Sequence, residues 1–232
     1  CGNKKATLKI VQLLYNTLPG ALRLRDNNGS LAIHYLCCNH DLDDTASIDI
    51  LRFMLNINPT LPREVDDGGY LPIHSAVKYK STRFCKILID AYPESLRIES
   101  DDGYWLPIHE ACNGGRLETV MYLVDIYPDS IVTADDEGYF PIHFASIGFS
   151  GIWLLVGGLN GVSDSRCYIP EIIKFILSKD SNGASRVTTH PHRQYPLHLA
   201  CVPDNNGNIR LHVVQALYDA NPEVIIKTNS NG

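Results

Sequence analysis

The sequence predicts an all-α solenoid in which helix-turn-helix units stack in a row and are joined by turn or hairpin fingers. The first observation is a short phrase that recurs five times: LAIH ending at His34, LPIH at His74, LPIH at His109, FPIH at His143 and PLH at His198. The intervals are 40, 35, 34 and 55 residues, and self-similarity at about 33 residues is typical of repeat proteins. The second observation is a proline that closes the helical stretches, at Pro19, Pro59, Pro93, Pro128 and Pro222.

The third copy shows how each element of a unit is predicted. The cluster at 101–103 (Asp-Asp-Gly) predicts a tight turn, because aspartate bonds nearby backbone N–H groups and glycine tolerates positive φ. Pro107 then opens a short first helix, since the missing proline N–H is not needed in the first turn, and Gly114-Gly115 ends it. Apolar residues at helical spacing from Leu117 to Tyr127 predict a second helix, which stops before Pro128.

The elements at the two ends of the chain follow by alignment on this copy. Apolar residues from Leu8 to Leu14, closed by Pro19, predict a second helix without its first helix. Residues Ile172 to Ile176 align on the second helix of the third copy, which leaves about 18 extra residues before them in the fourth unit.

The repeated unit resembles the ankyrin repeat, whose signature is G-x-T-P-L-H-x-A within about 33 residues. The resemblance covers essentially the whole chain, and five ordered copies make it specific. It implies an ankyrin-repeat solenoid that recognises a protein partner through its surface. Two features depart from the family. The threonine of the signature is replaced by Leu31, Leu71, Leu106, Phe140 and Tyr195, and the glycine after the second helix is proline in most units.

We expect one solenoid over residues 1–232 that is a window on a longer array. The predicted divisions are a partial repeat at 1–25, repeats at 26–65, 66–100 and 101–134, a repeat at 135–189 with an inserted loop at about 149–168, a repeat at 190–227 and the start of another at 228–232.

Composition narrows the class of partner and the location. The net charge of −6 without a lysine or arginine cluster argues against nucleic acid, and no apolar run is long enough for direct membrane insertion. Three of the seven cysteines, Cys37, Cys112 and Cys201, are predicted to lie in one buried column, three residues after the repeat histidine. Members of this column in neighbouring units are about 10 Å apart, too far for disulfides. Reduced thiols favour an intracellular location, cytoplasmic or nuclear. Organelle targeting stays an open alternative, because the true N-terminus is expected upstream.

The residues predict no catalytic, cofactor-binding or metal site. One histidine per unit cannot converge on a single ion, so each repeat histidine is expected to tie adjacent turns together. The pair His190 and His192 lies in a lengthened turn with no acidic or cysteine ligand nearby, and is also interpreted as structural. The glycine-rich run at 157–161 lacks the Lys-Ser/Thr of a phosphate loop.

A contact face is predicted where turn tips and first helices line up. Asp26, Asp66, Asp101 and Asp135 each precede their histidine by eight residues and are expected to close turns. Aromatic and acidic residues beside them form the predicted stripe. Its members are Tyr35, Tyr70, Asp102, Trp105, Glu110, Asp136, Tyr139 and Phe144. Exposed tyrosine and tryptophan are typical interface anchors, and the acids favour a partner with basic character. The alternative is that the aromatics shield the turns and the acids solvate the surface.

The insertion in the fourth unit supplies two further candidates, Trp153 and Leu154. An apolar loop of this kind either packs on its own repeat or is covered by a partner.

The sequence leaves three functions open. The main one is a non-catalytic protein-interaction scaffold that binds through its concave turn and first-helix face. The alternatives are a constitutive structural subunit of a large assembly, docked through residues 151–162, and a regulatory ankyrin segment of a larger enzyme.

Overall fold

The computed structural model describes residues 6–147, 169–189, 193–203 and 209–227, and within them the regular structure is entirely helical. The α-helices are α1 (Leu8–Thr17), α2 (Ala32–Cys38), α3 (Asp44–Ile57), α4 (Pro72–Tyr79), α5 (Thr82–Ala91), α6 (Pro107–Asn113), α7 (Leu117–Ile126), α8 (Pro141–Ile147), α9 (Ile169–Lys179), α10 (Pro196–Ala200) and α11 (Leu211–Ala220). Short 3-10 turns follow the second helices at Ala21–Arg23, Leu61–Arg63, Pro93–Arg97, Pro128–Val132, Gly183–Ser185 and Pro222–Ile226.

Proline sets the helix boundaries as the sequence predicts. A proline is the first residue of α4, α6, α8 and α10, where its missing N–H is not needed. Helix α7 ends before Pro128, and that proline opens the 3-10 turn instead of continuing the helix. The predicted helix start at Pro107 and helix end before Pro128 are thereby confirmed. The division of the chain into repeats stays a prediction.

The chain forms two compact units, Cys1–Pro107 and Ile108–Gly232. In the first unit α2 packs on α4, while α3 packs on α1 and α5. Its core includes the fully buried side chains of Leu36, Met54, Val77 and Phe84. These contacts arrange the helices of the first unit in two rows, one of short first helices and one of longer second helices.

The second unit repeats this arrangement. Helix α8 packs on α10, and α9 packs between α7 and α11. Ile172, Ile173 and Ile176 of α9 are fully buried, as the alignment of this helix on the third copy predicts. The inserted loop at 149–168, with Trp153 and Leu154, lies outside the described residues, as do His190, His192 and residues 228–232.

Helix α1 exposes an apolar face, whereas the corresponding face of α3 is buried. Ile10 is 47% exposed and Leu14 is 59% exposed, whereas Ile50 and Met54 at the same positions of α3 are fully buried. Helix α3 packs on its own first helix, α2. The assignment of α1 to a partial repeat at 1–25 stays a prediction.

Candidate functional site

Five turn segments, here called fingers, precede the first helices. They are the first finger (26–30), the second (66–70), the third (100–105), the fourth (135–139) and the fifth, of which residues 188–189 and 193–194 are described. In the first, second and fourth fingers, an aspartate oxygen accepts hydrogen bonds from two backbone N–H groups within the turn. Thus Oδ1 of Asp66 accepts from the N–H of Gly68 and of Tyr70, both at 3.0 Å. The predicted turn-closing role is confirmed for Asp26, Asp66 and Asp135.

The third finger departs from this prediction. Here the hydroxyl of Ser100, not the carboxylate of Asp101, accepts from the N–H of Trp105 at 3.1 Å. The backbone pair that closes the turn also joins Ser100 to Trp105, so this finger is one residue longer than the first, second and fourth fingers. The turn therefore closes one residue before Asp101, and Asp101 lies on the exposed tip.

Neighbouring fingers are joined by backbone hydrogen bonds. In the first unit the N–H of Asp67 donates to the carbonyl of Asn28 at 3.0 Å, and the N–H of Asp101 donates to Gly68 at 3.0 Å. In the second unit the N–H of Thr189 donates to Glu137 at 3.1 Å. These bonds hold the tips in register, so side chains on successive tips form one preorganised surface within each unit.

Arg25 adds a side-chain link between the first two fingers. Its guanidinium donates to the carbonyl of Gly29 at 2.6 Å and to that of Val65 at 2.5 Å, and it pairs with Glu64 at 2.6 Å. Arg25 is therefore bound by groups at the first and second fingers.

The repeat histidines tie adjacent turns together, as predicted. In His34 and His74 the Nδ1 atom accepts from the N–H of the residue that caps its own helix, at 3.0 Å. The opposite nitrogen, Nε2, lies 3.1 Å from a carbonyl of the following turn in His34, His74 and His109. These partners fit the neutral tautomer that carries its proton on Nε2. In His34 and His74, the hydrogen bond to Nδ1 at the helix start thus takes the place of the bond that the threonine hydroxyl of the family signature would make.

His143 keeps only half of this pattern. Its Nδ1 accepts from the N–H of Phe140 at 3.0 Å, but its buried Nε2 makes no hydrogen bond of good geometry. The carbonyls of Arg186 and Gln194 face the ring without completing one. Burial lowers the pKa of His143 to about 4, because a charged imidazolium would lose its hydration. This histidine is therefore neutral at physiological pH.

Three predicted contact residues come together in the first unit. Tyr70 and Trp105 are half-buried, and Asp102 is exposed at the tip of the third finger. The hydroxyl of Tyr70 donates to the carbonyl of Asp102 at 3.2 Å, and its ring packs edge-on against His74 with a centroid distance of 5.7 Å. The two aromatic rings and the carboxylate therefore lie on adjacent, hydrogen-bonded fingers.

Tyr35 extends this surface onto the first helix α2. Its side chain is 46% exposed, and its hydroxyl donates to Asp26. That bond lowers the pKa of Asp26 and raises the pKa of Tyr35, because it favours the charged carboxylate and the neutral phenol. The ring is thus held in place with a free face toward solvent.

In the second unit only part of the predicted stripe reaches the surface. Asp136 is exposed, and Tyr139 is half-buried with its hydroxyl 3.2 Å from Oε1 of Gln194. Glu110 and Phe144 are buried, at 4% and 3% exposure. The ring of Phe144 packs against His109 at a centroid distance of 5.0 Å, so this position belongs to the packing between helices. Glu110 and Phe144 therefore offer little surface to a partner.

The sequence reasoning missed Tyr104. This residue is 52% exposed and has a φ of 54°, in the left-handed region that favours glycine. Its signal in the sequence was its position five residues before the histidine. The first, second and fourth fingers have glycine there, and those glycines share the positive φ.

A buried lysine lies behind the fingers of the first unit. The ammonium of Lys80 donates to the carbonyl of Asn39 at 2.5 Å and to the hydroxyl of Ser47 at 2.9 Å. Asn39 is the C-cap of α2, where a positive charge complements the helix dipole. The buried ammonium has a lowered pKa because of desolvation, and its contacts serve the joint between neighbouring helices.

The described residues offer little for other chemistry. No group of three or more His, Cys, Asp or Glu side chains among them could hold a metal ion. None of the helices in the described segments combines the length and apolarity needed to span a membrane. The five described cysteines, Cys37, Cys38, Cys85, Cys112 and Cys201, are free thiols. Burial raises the pKa of Cys37 and Cys112. The prediction that Cys201 shares their buried column is wrong, because this residue is exposed just after α10, although partial desolvation raises the pKa of its thiol as well.

The helix pairs, the fingers and the histidine ties together define an ankyrin-repeat solenoid. No family model matches the sequence, and no curated protein matches it either. Solved structures do match. A chain from the complex of a predatory endopeptidase of Bdellovibrio bacteriovorus with an immunity protein superposes with a TM-score of 0.62 and 16% identity, over 91% of this chain and 92% of that chain. The ankyrin repeat domain of Bcl-3, a member of the IkappaB protein family, superposes with a TM-score of 0.57 and 17% identity, over 90% of this chain and 76% of that domain. The chain therefore has the ankyrin-repeat fold.

Proposed function

We propose that this chain is a non-catalytic interaction domain that binds a protein partner of basic character through its fingers and first helices. The observation that carries the proposal is the surface of the second and third fingers, where the half-buried Tyr70 and Trp105 and the exposed Asp102 lie on adjacent turns, and the hydroxyl of Tyr70 donates to the backbone carbonyl of Asp102. Aromatic side chains that are partly exposed on a rigid backbone lose little conformational entropy on binding, and they dominate many interfaces.

The electrostatics support the basic character of the partner. The second and third fingers carry Asp66, Asp67, Asp101 and Asp102, and their residues include no lysine or arginine. A field of one sign steers an oppositely charged partner and excludes a similarly charged one. Binding should therefore weaken as salt rises, because these carboxylates are exposed.

The fold comparison supports the protein nature of the partner. One of the similar structures is a complex that includes an immunity protein, so this fold occurs there within a protein–protein assembly. The alternative roles, docking through residues 151–162 and regulation of a larger enzyme, involve segments outside the described residues. The finger surface is the part of the chain on which a binding function can be argued from contacts.

The test is capture of the partner from the native cell, followed by titration of the purified pair. Trp105→Ala should weaken binding by about 2 kcal/mol, because it removes a central aromatic anchor, and Tyr139→Ala should add to the loss. Met121→Ala is the matched control, since Met121 is 43% exposed on the second helix α7, away from the fingers. Circular dichroism should show the same fold in every variant.

Equal recovery of the partner by the wild type and by the Trp105→Ala, Tyr139→Ala double variant would refute the finger surface as the contact face. A loss of binding in Met121→Ala of the same size would point to the second helices instead.

A further inference from the structure

Helix α1 leaves open a contact position that the other second helices bury. The prolines that follow these helices align them, and Leu14 lies five residues before Pro19. Leu14 is 59% exposed. The residues at the same position of α3, α5, α7 and α11 are at most 2% exposed; they are Met54, Leu88, Leu123 and Leu217. Ile10 of α1 differs from its counterparts in the same way, since Ile50 and Phe84 are fully buried.

Helix α11 and the 3-10 turn after it (Pro222–Ile226) leave open a different set of positions. Tyr218, four residues before Pro222, is exposed, whereas Ile89 and Val124 at the same position are buried. Ile225, three residues after that proline, is 66% exposed. Its counterparts are at most 5% exposed; they are Leu22, Leu96 and Ile131. The positions that α1 opens are thus buried in α11, and the position of Ile225 is buried beside α1.

The contacts within each unit show what covers these positions elsewhere. Helix α3 packs on both α1 and α5, and α9 packs on both α7 and α11. Within the described residues, α1 packs on one second helix, α3, and α11 packs on one, α9. The apolar side chains that α1 and α11 expose therefore lie at positions that a neighbouring repeat buries in the other helices. Contiguous apolar surface of this kind favours association.

The charges on the two surfaces are opposite. Residues 1–25 contain five basic residues, among them the exposed Lys9, and no aspartate or glutamate. Residues 211–226 contain the exposed Asp219 and Glu223 and no lysine or arginine. Two copies of the basic surface would repel each other, whereas the basic and the acidic surface attract.

We infer that this chain associates head to tail with a second copy of itself, through α1 of one copy and α11 with its 3-10 turn of the other. Ile10 and Leu14 of the first copy then pack against Tyr218 and Ile225 of the second. A contact between two different surfaces leaves one of each free, so association continues beyond a pair. The fingers take no part in this contact, which is independent of the proposed partner binding.

Sedimentation velocity of the whole 232-residue chain tests the association. The weight-average sedimentation coefficient should rise steadily between about 1 and 100 μM, without a plateau at the value of a pair. It should fall as salt rises, because Lys9, Asp219 and Glu223 are exposed. The sedimentation coefficient of a monomer at every concentration would overturn the inference.

Two variants separate the surfaces. Leu14→Gln and Ile225→Gln each replace one exposed apolar side chain, so circular dichroism should show an unchanged fold. Each should raise the apparent dissociation constant about tenfold, because burial of the apolar side chain is lost. An equal mixture of the two should form pairs that do not grow further, since each variant keeps the surface that the other lacks. Met121→Gln, on the exposed side of α7, is the control and should associate like the wild type.

The same measurements identify other modes of association. If Ile225→Gln associates like the wild type while Leu14→Gln does not, α1 pairs with α1 of the second copy and the head-to-tail contact is wrong. A mixture that fails to form pairs, or wild-type association in both variants, would also overturn it.

Discussion

Replacement of His74 tests how the repeat histidines hold the array together. This side chain is 1% exposed, and its ring nitrogens face backbone groups: Nδ1 accepts from the N–H of Leu71 at 3.0 Å, and Nε2 lies 3.1 Å from the carbonyls of Ile98 and of Trp105. His74→Ala leaves the buried N–H and the carbonyls without this partner and opens a cavity. We expect the free energy of unfolding to fall by about 4 kcal/mol, since one unsatisfied buried group costs about 1–3 kcal/mol and the lost ring adds to it.

A second substitution separates the contributions that the two ring nitrogens of His74 make to the free energy of unfolding. In His74→Asn the amide oxygen takes the place of Nδ1, so the bond from Leu71 is kept while the donor to Ile98 and Trp105 is lost. The loss should therefore be about 2 kcal/mol, half of that for alanine. His143→Ala should also cost less than His74→Ala, because Nε2 of His143 has no hydrogen bond to lose.

Urea denaturation followed by circular dichroism measures these differences. The comparison requires that the slope against urea stays constant, because repeat arrays can unfold in segments. A loss below about 1 kcal/mol for His74→Ala, or equal losses for alanine and asparagine, would show that the ring packs in the core without tying the turns.

Two further outcomes follow from the same contacts. Gly69→Ala should lower the free energy of unfolding by about 1–3 kcal/mol, because φ is 72° there and a Cβ would lie 2.5 Å from a backbone nitrogen of the next finger. Gly20→Ala, with no atom within 4 Å of its Cβ, should be nearly neutral by urea denaturation, and a similar loss in both variants would contradict the steric argument. The second outcome concerns pH. Since the pKa of His143 is about 4 in the folded chain and about 6.5 when unfolded, its contribution is full above pH 6.5 and is lost as the pH falls to 4. Stability should drop by about 3 kcal/mol over this window relative to His143→Gln, and parallel pH profiles for the two proteins would contradict it.

The candidate site was predictable from the sequence only in part. The histidine spacing located the fingers, and Tyr70, Asp102 and Trp105 do lie on adjacent fingers. The burial of Glu110 and Phe144 could not be predicted, because their positions in the repeat match the exposed Tyr35. Whether such a position is open depends on the side chains that the neighbouring helix brings against it, and this differs from unit to unit.

The sequence by itself determined the fold, because a strong local signal recurs along the chain. Proline fixes the start of α4, α6, α8 and α10, and turns that contain aspartate and glycine precede α2, α4, α6 and α8. The Nδ1 atom of the repeat histidine accepts from the N–H three residues earlier, so this hydrogen bond depends only on the local sequence. Only the tertiary structure decided which side chains close the third finger. There Ser100 replaces Asp101 as the acceptor that closes the turn, and Tyr104 is exposed. The aspartate eight residues before the histidine is present in all four copies, so it does not show which path the backbone of the turn takes.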